Sequence, residues 1–384
     1  MKKEFFYNKQ KIDNSDINLV AKSLKAKKIT KGKYLSLFED RLAHFMGAKY
    51  CLATSNATSA FDIVISFLHF KKMDLAIVVA NTFCAAANSL NKFNKEFIFC
   101  DINEKDPNIN CLKLEEEILF QKKRGKKIKL VIVTDYSGYP ADWKDLKILQ
   151  KKYNFILIND NCHALGSTYY NDTKYACKFA DIVIQSFHAV KNITTAEGGA
   201  ILTNNKNFHR NFRNLREHGF VKKNKYWEYD IIKPGFNARL SEMQSALGYS
   251  QLNKINLFLK KRRLIANYYD NYFKKFKFIE TPVQNLNKLS SHHLYYLRVN
   301  FKKIKITKEM FFKKLISYNI FPQIHYVPTY KFKVYKRLYS KENFKNNEKF
   351  YKEVFSLPLY LELKRKDIIF ICKKVIDSLC KKSI

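Results

Sequence analysis

“FILIND”, residues 155–160, and “DIVIQSF”, residues 181–187, are two apolar runs in which polar and apolar residues do not alternate. Such runs predict strands that are buried on both faces, as in a parallel sheet covered by helices. The first run ends on Asp160, the second ends beside Ser186, and Lys191 follows five residues later. If the two strands are parallel neighbours, a carboxylate and an amine face one crevice at their carboxyl ends, where open α/β sheets gather ligands.

The same pattern extends over much of the chain. Segments 58–70 and 145–154 lie between the apolar runs and carry apolar residues at helical spacing. The sequence therefore predicts an α/β fold, with a large, mostly parallel sheet and helices on both of its faces. Further runs that predict buried strands occupy residues 75–80, 96–102, 128–136 and 198–204.

The pattern changes after residue 240. Residues 241–276 predict a long helix without a strand, which leads to a predicted strand within 293–301 and an amphipathic end at 367–382. We therefore expect a large domain with an N-terminal arm over residues 1–250, and a smaller C-terminal α+β domain over residues 251–384.

Composition limits the possible partners and compartments. The 384 residues include 71 Lys and Arg against 34 Asp and Glu, a net charge of +37 that attracts anions. The basic residues are spread over nearly the whole chain instead of forming an arm, so no nucleic-acid partner is expected. The eight cysteines form no CxxC pair, no run of eighteen apolar residues occurs, and no signal peptide is expected from the first residues. These features predict a cytoplasmic protein that does not associate with membranes.

Several common ligand motifs are missing from the sequence. The ten glycines form no GxG, which excludes dinucleotide-binding and P-loop fingerprints. There is no HExxH, and the adjacent His292 and His293 are interpreted as the start of a strand, so no metal site is expected.

Four features together suit pyridoxal phosphate (PLP). Asn56 and Thr58 lie at the mouth of an amphipathic helix, whose free N–H groups favour a phosphate. Phe83 follows a predicted strand and could stack on a flat ring. Each residue alone also has an ordinary structural explanation: Lys191 as solvated surface, Asp160 as a helix cap, and Phe83 as core. Their joint order favours a cofactor whose aldehyde reacts with a lysine and whose ring nitrogen pairs with a carboxylate.

“SFHAVKNITTAEGGAILTNN”, residues 186–205, resembles the active-site lysine segment of the DegT/DnrJ/EryC1/StrS family of sugar aminotransferases, which typically reads SFHPxKxxTTGEGG. The likeness continues over almost the entire chain, for example in “GFNARLSEMQSALGYSQLNKI” (235–255) and “HYVPTY” (325–330). It implies an aspartate-aminotransferase-like, fold type I structure, with PLP as cofactor and pyridoxamine phosphate as its aminated form.

The resemblance also implies roles for individual residues. Lys191 would be the Schiff-base lysine, Asp160 the partner of the ring nitrogen, and His163 a neighbour of the ring hydroxyl. Asn237 would reach the phosphate of a neighbouring subunit's cofactor, so the functional unit would be a homodimer. The remaining expected positions are Ala57, Thr58 and Ser186 at the phosphate, Phe83 against the ring, and Tyr7, His188, Arg239 and His325 around the sugar nucleotide.

Three segments, “FHAVKNITT”, “SNATSA” and “IHYVP”, resemble most the family members that aminate C4 of a UDP-linked 4-keto-6-deoxy-N-acetylhexosamine on the pseudaminic acid route. L-Glutamate would be the amino donor. Another nucleotide-sugar 3- or 4-aminotransferase, such as one of the perosamine synthase type, is an alternative. Relatives that dehydrate sugars at C3 carry histidine in place of the lysine, so Lys191 argues against that activity. A third interpretation is a noncatalytic protein with the same scaffold, which either binds nucleic acid or has a regulatory role.

The chain departs from the family pattern at four positions. Gln185, Ala189 and Ala196 replace the usual Phe, Pro and Gly, and Asn159 stands where Glu is common. Ala196 matters most, because a glycine permits backbone conformations that alanine resists. We expect these changes to tune activity, not to abolish it.

Overall fold

A computed structural model of the chain describes residues 3–338 and 341–380. Within this part, no helix is both long and apolar enough to cross a membrane. The helices are α1 (Asn14–Leu24), α2 (Lys33–Met46), α3 (Ala57–Phe67), α4 (Ala85–Lys92), α5 (Cys111–Lys123), α6 (Trp143–Tyr153), α7 (Tyr175–Phe179), α8 (Lys206–Arg216), α9 (Glu242–Asn253), α10 (Ile255–Phe273), α11 (Lys308–Ser317), α12 (Lys345–Glu353) and α13 (Arg365–Leu379).

The strands form one large sheet and several small ones. They are β1 (Phe5–Phe6), β2 (Tyr50–Thr54), β3 (Asp74–Val79), β4 (Phe97–Cys100), β5 (Lys127–Thr134), β6 (Ile156–Asp160), β7 (Thr168–Tyr169), β8 (Ile182–Ser186), β9 (Gly199–Thr203), β10 (Phe220–Lys222), β11 (Tyr229–Ile231), β12 (Ile279–Glu280), β13 (Lys288–Leu289), β14 (Tyr295–Val299), β15 (Ile320–Phe321) and β16 (Val354–Leu357).

The large sheet has seven strands in the order β2-β9-β8-β6-β5-β3-β4. Neighbouring strands are parallel from β8 through β4, whereas β9 runs antiparallel to both β8 and β2. The apolar runs of the sequence correspond to six of these strands, which confirms the predicted mostly parallel sheet. The seventh, β2, lies at the edge and pairs with β9 alone among the described strands.

Helices cover both faces of this sheet, because both faces are apolar. One face packs against Phe38 and Leu42 of α2 and Leu146 of α6. The other packs against Phe61 of α3 and Phe212 of α8. The α/β layering predicted from the sequence is therefore confirmed.

A second sheet, β12-β14-β16, is antiparallel and packs against α10, α11 and α13 in a separate apolar cluster. The predicted strand within 293–301 is β14, and the amphipathic end is α13. The last two residues of that end, Lys381 and Lys382, lie outside the described residues. The division into domains at residue 250 stays a prediction.

The single long helix predicted over residues 241–276 is wrong, because α9 and α10 meet at a break. Lys254 lies between the two helices and belongs to neither, with φ of −101° and ψ of 0°. Its ammonium lies 2.8 Å from Asp13 and 2.7 Å from the buried Asp16, which fixes the break against α1. Apolar spacing alone carries no information about such a distant ion pair.

The N-terminal arm is tied to the rest of the chain at several further places. Strand β1 pairs in parallel with β15, far along the chain. The buried Glu242 accepts hydrogen bonds from the backbone N–H groups of Gly32 (2.9 Å), Tyr34 (2.8 Å) and Leu35 (3.0 Å). Gly32 precedes α2 and has no side chain to cap it. The carboxylate of Glu242, at the start of α9, therefore satisfies these otherwise free donors.

Candidate active site

A cavity of about 300 Å³ opens at the carboxyl ends of the parallel strands. It brings together every predicted site residue except Asn237 and Arg239. The predicted residues that line it are Tyr7, Ala57, Thr58, Phe83, Asp160, His163, Ser186, His188, Lys191 and His325.

The amino end of α3 forms one wall of the cavity. Asn56 caps the helix by accepting a hydrogen bond from the Ser59 N–H (2.7 Å). Among the described residues, the N–H groups of Ala57 and Thr58 have no hydrogen-bond partner, as expected at a helix start. A Cβ at Gly199 would lie 2.5 Å from the Ala57 nitrogen, so glycine lets β9 approach this wall closely. The wall thus offers free donors and a helix dipole to an anion.

Asp160 ends β6 and is 5% exposed. Its carboxylate accepts hydrogen bonds from the Cys162 N–H (3.2 Å) and the Thr134 hydroxyl (3.3 Å). Within residues 3–338 and 341–380, no cation forms a salt bridge with it. Because a buried charge normally needs a partner, Asp160 is suited to a cation that enters with a ligand.

The segment that carries Lys191 connects β8 to the antiparallel strand β9. Hydrogen bonds between Phe187 and Gly198 and between Thr195 and Phe187 close its base (2.8 and 2.9 Å). Asn8 of the N-terminal arm donates to the Val190 carbonyl (2.7 Å). Sheet and arm therefore hold the lysine segment from both sides.

Lys191 is partly buried at the cavity, with Asp160 nearby. Burial lowers the pKa of its ammonium, and the nearby Asp160 opposes this shift. Burial and the charge of Lys191 also hold the pKa of His163 well below its usual value, and they lower the pKa of His325 to about 3. His163 and His325 are thus neutral at pH 7, and Lys191 loses its proton more readily than a lysine in water.

His163 is held by two hydrogen bonds that determine its tautomer. Its Nδ1 accepts from the Ser137 N–H (3.3 Å), and its Nε2 lies 2.9 Å from the Tyr326 hydroxyl. Since the ring is neutral, the proton is on Nε2 and is donated to the Tyr326 oxygen. The hydroxyl proton of Tyr326 is then available to another acceptor at the cavity.

Several residues that line the cavity were not predicted from the sequence. Tyr326 lies in the family-like segment 325–330, but no role was predicted for it. Its ring centroid is 5.7 Å from that of Phe83. His293, interpreted only as the start of a strand, lines the cavity, with its ring centroid 4.5 Å from that of His163. The remaining residues of this kind are Phe61, Ala85, Thr134, Cys162, Val190 and Glu197.

Aromatic rings and an acid form the outer part of the cavity. The rings of Tyr7 and His325 have centroids 4.8 Å apart, and His325 Nδ1 lies 2.9 Å from the Ser356 hydroxyl. His188 Nε2 lies 3.7 Å from Glu197, and both side chains are largely exposed. These side chains could contact a polar substrate, and the charge of Glu197 would not have to be buried to do so.

Asn237 and Arg239 lie outside this cavity. They belong to an extended segment in which Asn237 bridges to Glu217 and Arg239 bridges to Thr54. The Asn237 side chain is exposed to solvent, so it does not contribute to the cavity of its own chain.

Ala196 adopts a left-handed backbone conformation, with φ of 66°. We expect Ala196→Gly to raise the free energy of unfolding by about 0.5–1 kcal/mol, because relief of Cβ strain exceeds the added freedom of glycine in the unfolded chain. Denaturant titration measures this change. Ala200→Gly, in the extended strand β9, is the control and should destabilise the protein. A less stable Ala196→Gly variant would contradict the expectation.

The cavity fits the chemistry of PLP. The free N–H groups of Ala57 and Thr58 suit a phosphate, and Phe83, 53% exposed beside them, suits a flat ring. The unpaired carboxylate of Asp160 suits a protonated ring nitrogen, and Lys191 supplies an amine with a lowered pKa.

The chain is similar in sequence to known aminotransferases. The model of the DegT/DnrJ/EryC1/StrS aminotransferase family matches residues 10–376. A UDP-4-amino-4,6-dideoxy-N-acetyl-beta-L-altrosamine transaminase from Campylobacter jejuni is 38% identical over 365 residues, 95% of each chain. The protein of the same name from Helicobacter pylori is 35% identical over 379 residues, 98% of each chain.

Solved structures agree with this result. Helicobacter pylori PseC, an aminotransferase involved in pseudaminic acid biosynthesis, superposes with a TM-score of 0.91 at 33% identity, covering 98% of this chain and 99% of that one. Spr1654 from Streptococcus pneumoniae, in its PMP form, gives a TM-score of 0.88 at 25% identity, covering 97% and 98% of the two chains. Spr1654 has been solved in both PMP and PLP forms, which agrees with PLP as the cofactor of this family. The chain therefore belongs to the DegT/DnrJ/EryC1/StrS family and is a PLP-dependent aminotransferase of fold type I.

Proposed function

We propose that the enzyme transfers the amino group of L-glutamate to C4 of a UDP-linked 2-acetamido-2,6-dideoxy-hexos-4-ulose, in the biosynthesis of a nonulosonic acid or another surface glycan. The names of relatives that are 35–38% identical over nearly the full chain support this substrate. The observation that carries the reaction type is the meeting of Lys191, Asp160 and the free amides of α3 in one cavity. Lys191 argues against the C3 dehydratases, and membership of an aminotransferase family argues against a noncatalytic role.

The chain's own residues would bind and orient the cofactor. The amides of Ala57 and Thr58, with the Ser186 hydroxyl, would hold the phosphate, and Phe83 would cover one face of the ring. Asp160 would keep the ring nitrogen protonated, since a charge-assisted hydrogen bond in a buried site favours the charged pair. When bound, PLP supplies an aldehyde that takes up the amino group and a ring that draws electrons from the reacting carbon.

Lys191 would then move protons. Its lowered pKa leaves a larger fraction of the amine unprotonated at pH 7 than in an ordinary lysine. Lys191 Nζ could therefore accept the proton from Cα of glutamate and later deliver one to C4 of the sugar. Tyr326, held by His163, would offer its hydroxyl proton to the ring hydroxyl. Tyr7, His188 and His325 would contact the sugar nucleotide, whose diphosphate the net positive charge attracts.

Asn237 would act in a second subunit. Its exposed side chain lies outside its own cavity. Nearby, β10 and β11 belong to a segment with strongly exposed aromatic residues, in which Tyr226 is 90% and Trp227 60% exposed. Exposed apolar groups of this size commonly mark protein interfaces. These features support a homodimer in which Asn237 reaches the partner's phosphate.

A substrate panel tests the proposed reaction. Purified protein would be incubated with L-glutamate and UDP-, GDP- or dTDP-linked 3-keto and 4-keto sugars, and the release of 2-oxoglutarate would be followed. We expect the fastest turnover with the UDP-linked 4-keto-N-acetyl sugar, and a product whose NMR spectrum places the amine on C4. Omission of glutamate is the control. Faster turnover with a GDP-linked or a 3-keto sugar would contradict the proposed substrate. It would instead indicate another nucleotide-sugar 3- or 4-aminotransferase.

A further inference from the structure

Beneath the cavity, Asp135 is a fully buried carboxylate that follows β5. Its Oδ1 accepts hydrogen bonds from the Ala141 N–H (2.8 Å) and the Trp143 indole (2.9 Å). Its Oδ2 accepts from the Tyr175 hydroxyl (2.6 Å) and from the side-chain amides of Asn159 and Asn161. No salt bridge reaches it within the part of the chain that the structure describes. Polar donors alone therefore stabilise this carboxylate.

The two amides belong to the residues on either side of Asp160. Asn159 Nδ2 lies 3.1 Å from Asp135 Oδ2, and Asn161 Nδ2 lies 3.0 Å from it. Side chains alternate between the two faces of a strand, so Asn159 points away from the face on which Asp160 lines the cavity. Asp135 thus binds β6 through the residue before Asp160 and the residue after it.

The same contacts extend to β8. The Oδ1 of Asn161 accepts a hydrogen bond of 2.5 Å from Gln185 Nε2. Gln185 precedes Ser186, so this bond connects the Asp160 side of the cavity to its phosphate side. Gln185 Oε1 and Asn159 Oδ1 are buried without a hydrogen-bond partner in the described residues, which is costly for stability. Two of the four departures from the family pattern, Asn159 and Gln185, are members of this set.

We propose that Asp135, with Asn159, Asn161 and Gln185 (the Asp135 network), is a positioning device that fixes Asp160 and Ser186 for cofactor binding. Asn159 fits this role because a glutamate there would place a second carboxylate against Asp135, where like charges repel. The network touches neither the cavity nor a substrate. It acts through the backbone of β6 and β8.

Cofactor affinity separates positioning from simple stabilisation. The variants are Asp135→Asn and Gln185→Leu, each compared with the parent in its cofactor-free and PLP-saturated forms. Fluorescence titration gives the Kd for PLP, and melting curves give the increase in Tm that PLP produces. We expect Asp135→Asn to raise the Kd at least about tenfold, since small displacements of a binding group have large effects. The double variant Asp135→Asn/Asn159→Asp, which moves the charge across the hydrogen bond, should recover part of the affinity.

Gln185→Leu covers the case in which Asp135→Asn does not fold. It removes an unsatisfied buried oxygen and is expected to leave the Tm of the cofactor-free protein unchanged or higher, while the Kd for PLP rises severalfold. Asp181→Asn is the matched control, because Asp181 accepts from Leu157 N–H (2.9 Å) at the other end of β6. It should lower the Tm without changing the increase produced by PLP. If Asp135→Asn and Gln185→Leu bind PLP as the parent does, the network is merely structural. No sugar is involved, so this result is independent of the proposed substrate.

Discussion

Lys191→Ala is expected to abolish covalent attachment of PLP and to reduce transamination by about 10³-fold or more. Proton transfer by a positioned side chain alone contributes roughly 10²–10⁴-fold, and this variant also loses the amine that bonds the aldehyde. The measurements are 2-oxoglutarate release and mass spectrometry of tryptic peptides after borohydride reduction. In the parent, the reduced cofactor should be found on the peptide that contains Lys191.

Lys206→Ala is the control for this variant, since Lys206 is an exposed lysine at the start of α8. It should retain the activity and the labelled peptide of the parent. The Lys191→Ala protein should still bind PLP reversibly, because the phosphate wall and Asp160 remain. A Lys191→Ala protein with parental turnover would exclude Lys191 as the proton carrier.

Asp160→Asn is expected to lower kcat/KM by about 10- to 100-fold and to weaken PLP binding. The substitution preserves shape and the acceptor for the Cys162 N–H, but it removes the charge that would keep the ring nitrogen protonated. Hydrogen bonds to charged groups contribute about 1.5–3 kcal/mol, which corresponds to this range. Steady-state kinetics and fluorescence titration with PLP measure the two effects.

The outcome for Asp160→Asn distinguishes a cofactor partner from a structural acid. Burial of Asp160 without a salt bridge means that the cofactor-free protein should lose little stability, or even gain some, when the charge is removed. A large drop in the Tm of the cofactor-free protein, with unchanged affinity for PLP, would assign Asp160 to the fold instead.

The fold was predictable because its strands are apolar on both faces. The runs that end on Asp160 and near Ser186 are adjacent parallel strands, so their ends meet as expected. Asn56 is a helix cap, and the sequence placed it correctly at the start of α3. Short-range patterns of this kind report directly on burial and on helix ends.

Residues brought in from far along the chain were not predictable in the same way. His293 and Tyr326 reach the cavity from the C-terminal part, and nothing in their local spacing distinguishes them from core residues. The break at Lys254 depends on acids of α1, about 240 residues away. Asp135 gave no signal either, because its donors come from three separate segments, 141–143, 159–161 and Tyr175.

Strand β2 carries the phosphate wall on its carboxyl end, yet its partner β9 begins about 145 residues later. A ribosome that adds about 5–20 residues per second needs roughly 7–30 s to supply Gly199 after Thr54. Until then Gly199 is not in place beside the amino end of α3, and such long-range pairing also slows folding. The cavity is therefore completed only late in biosynthesis, and PLP cannot stabilise the unpaired edge of β2 while the growing chain still lacks β9.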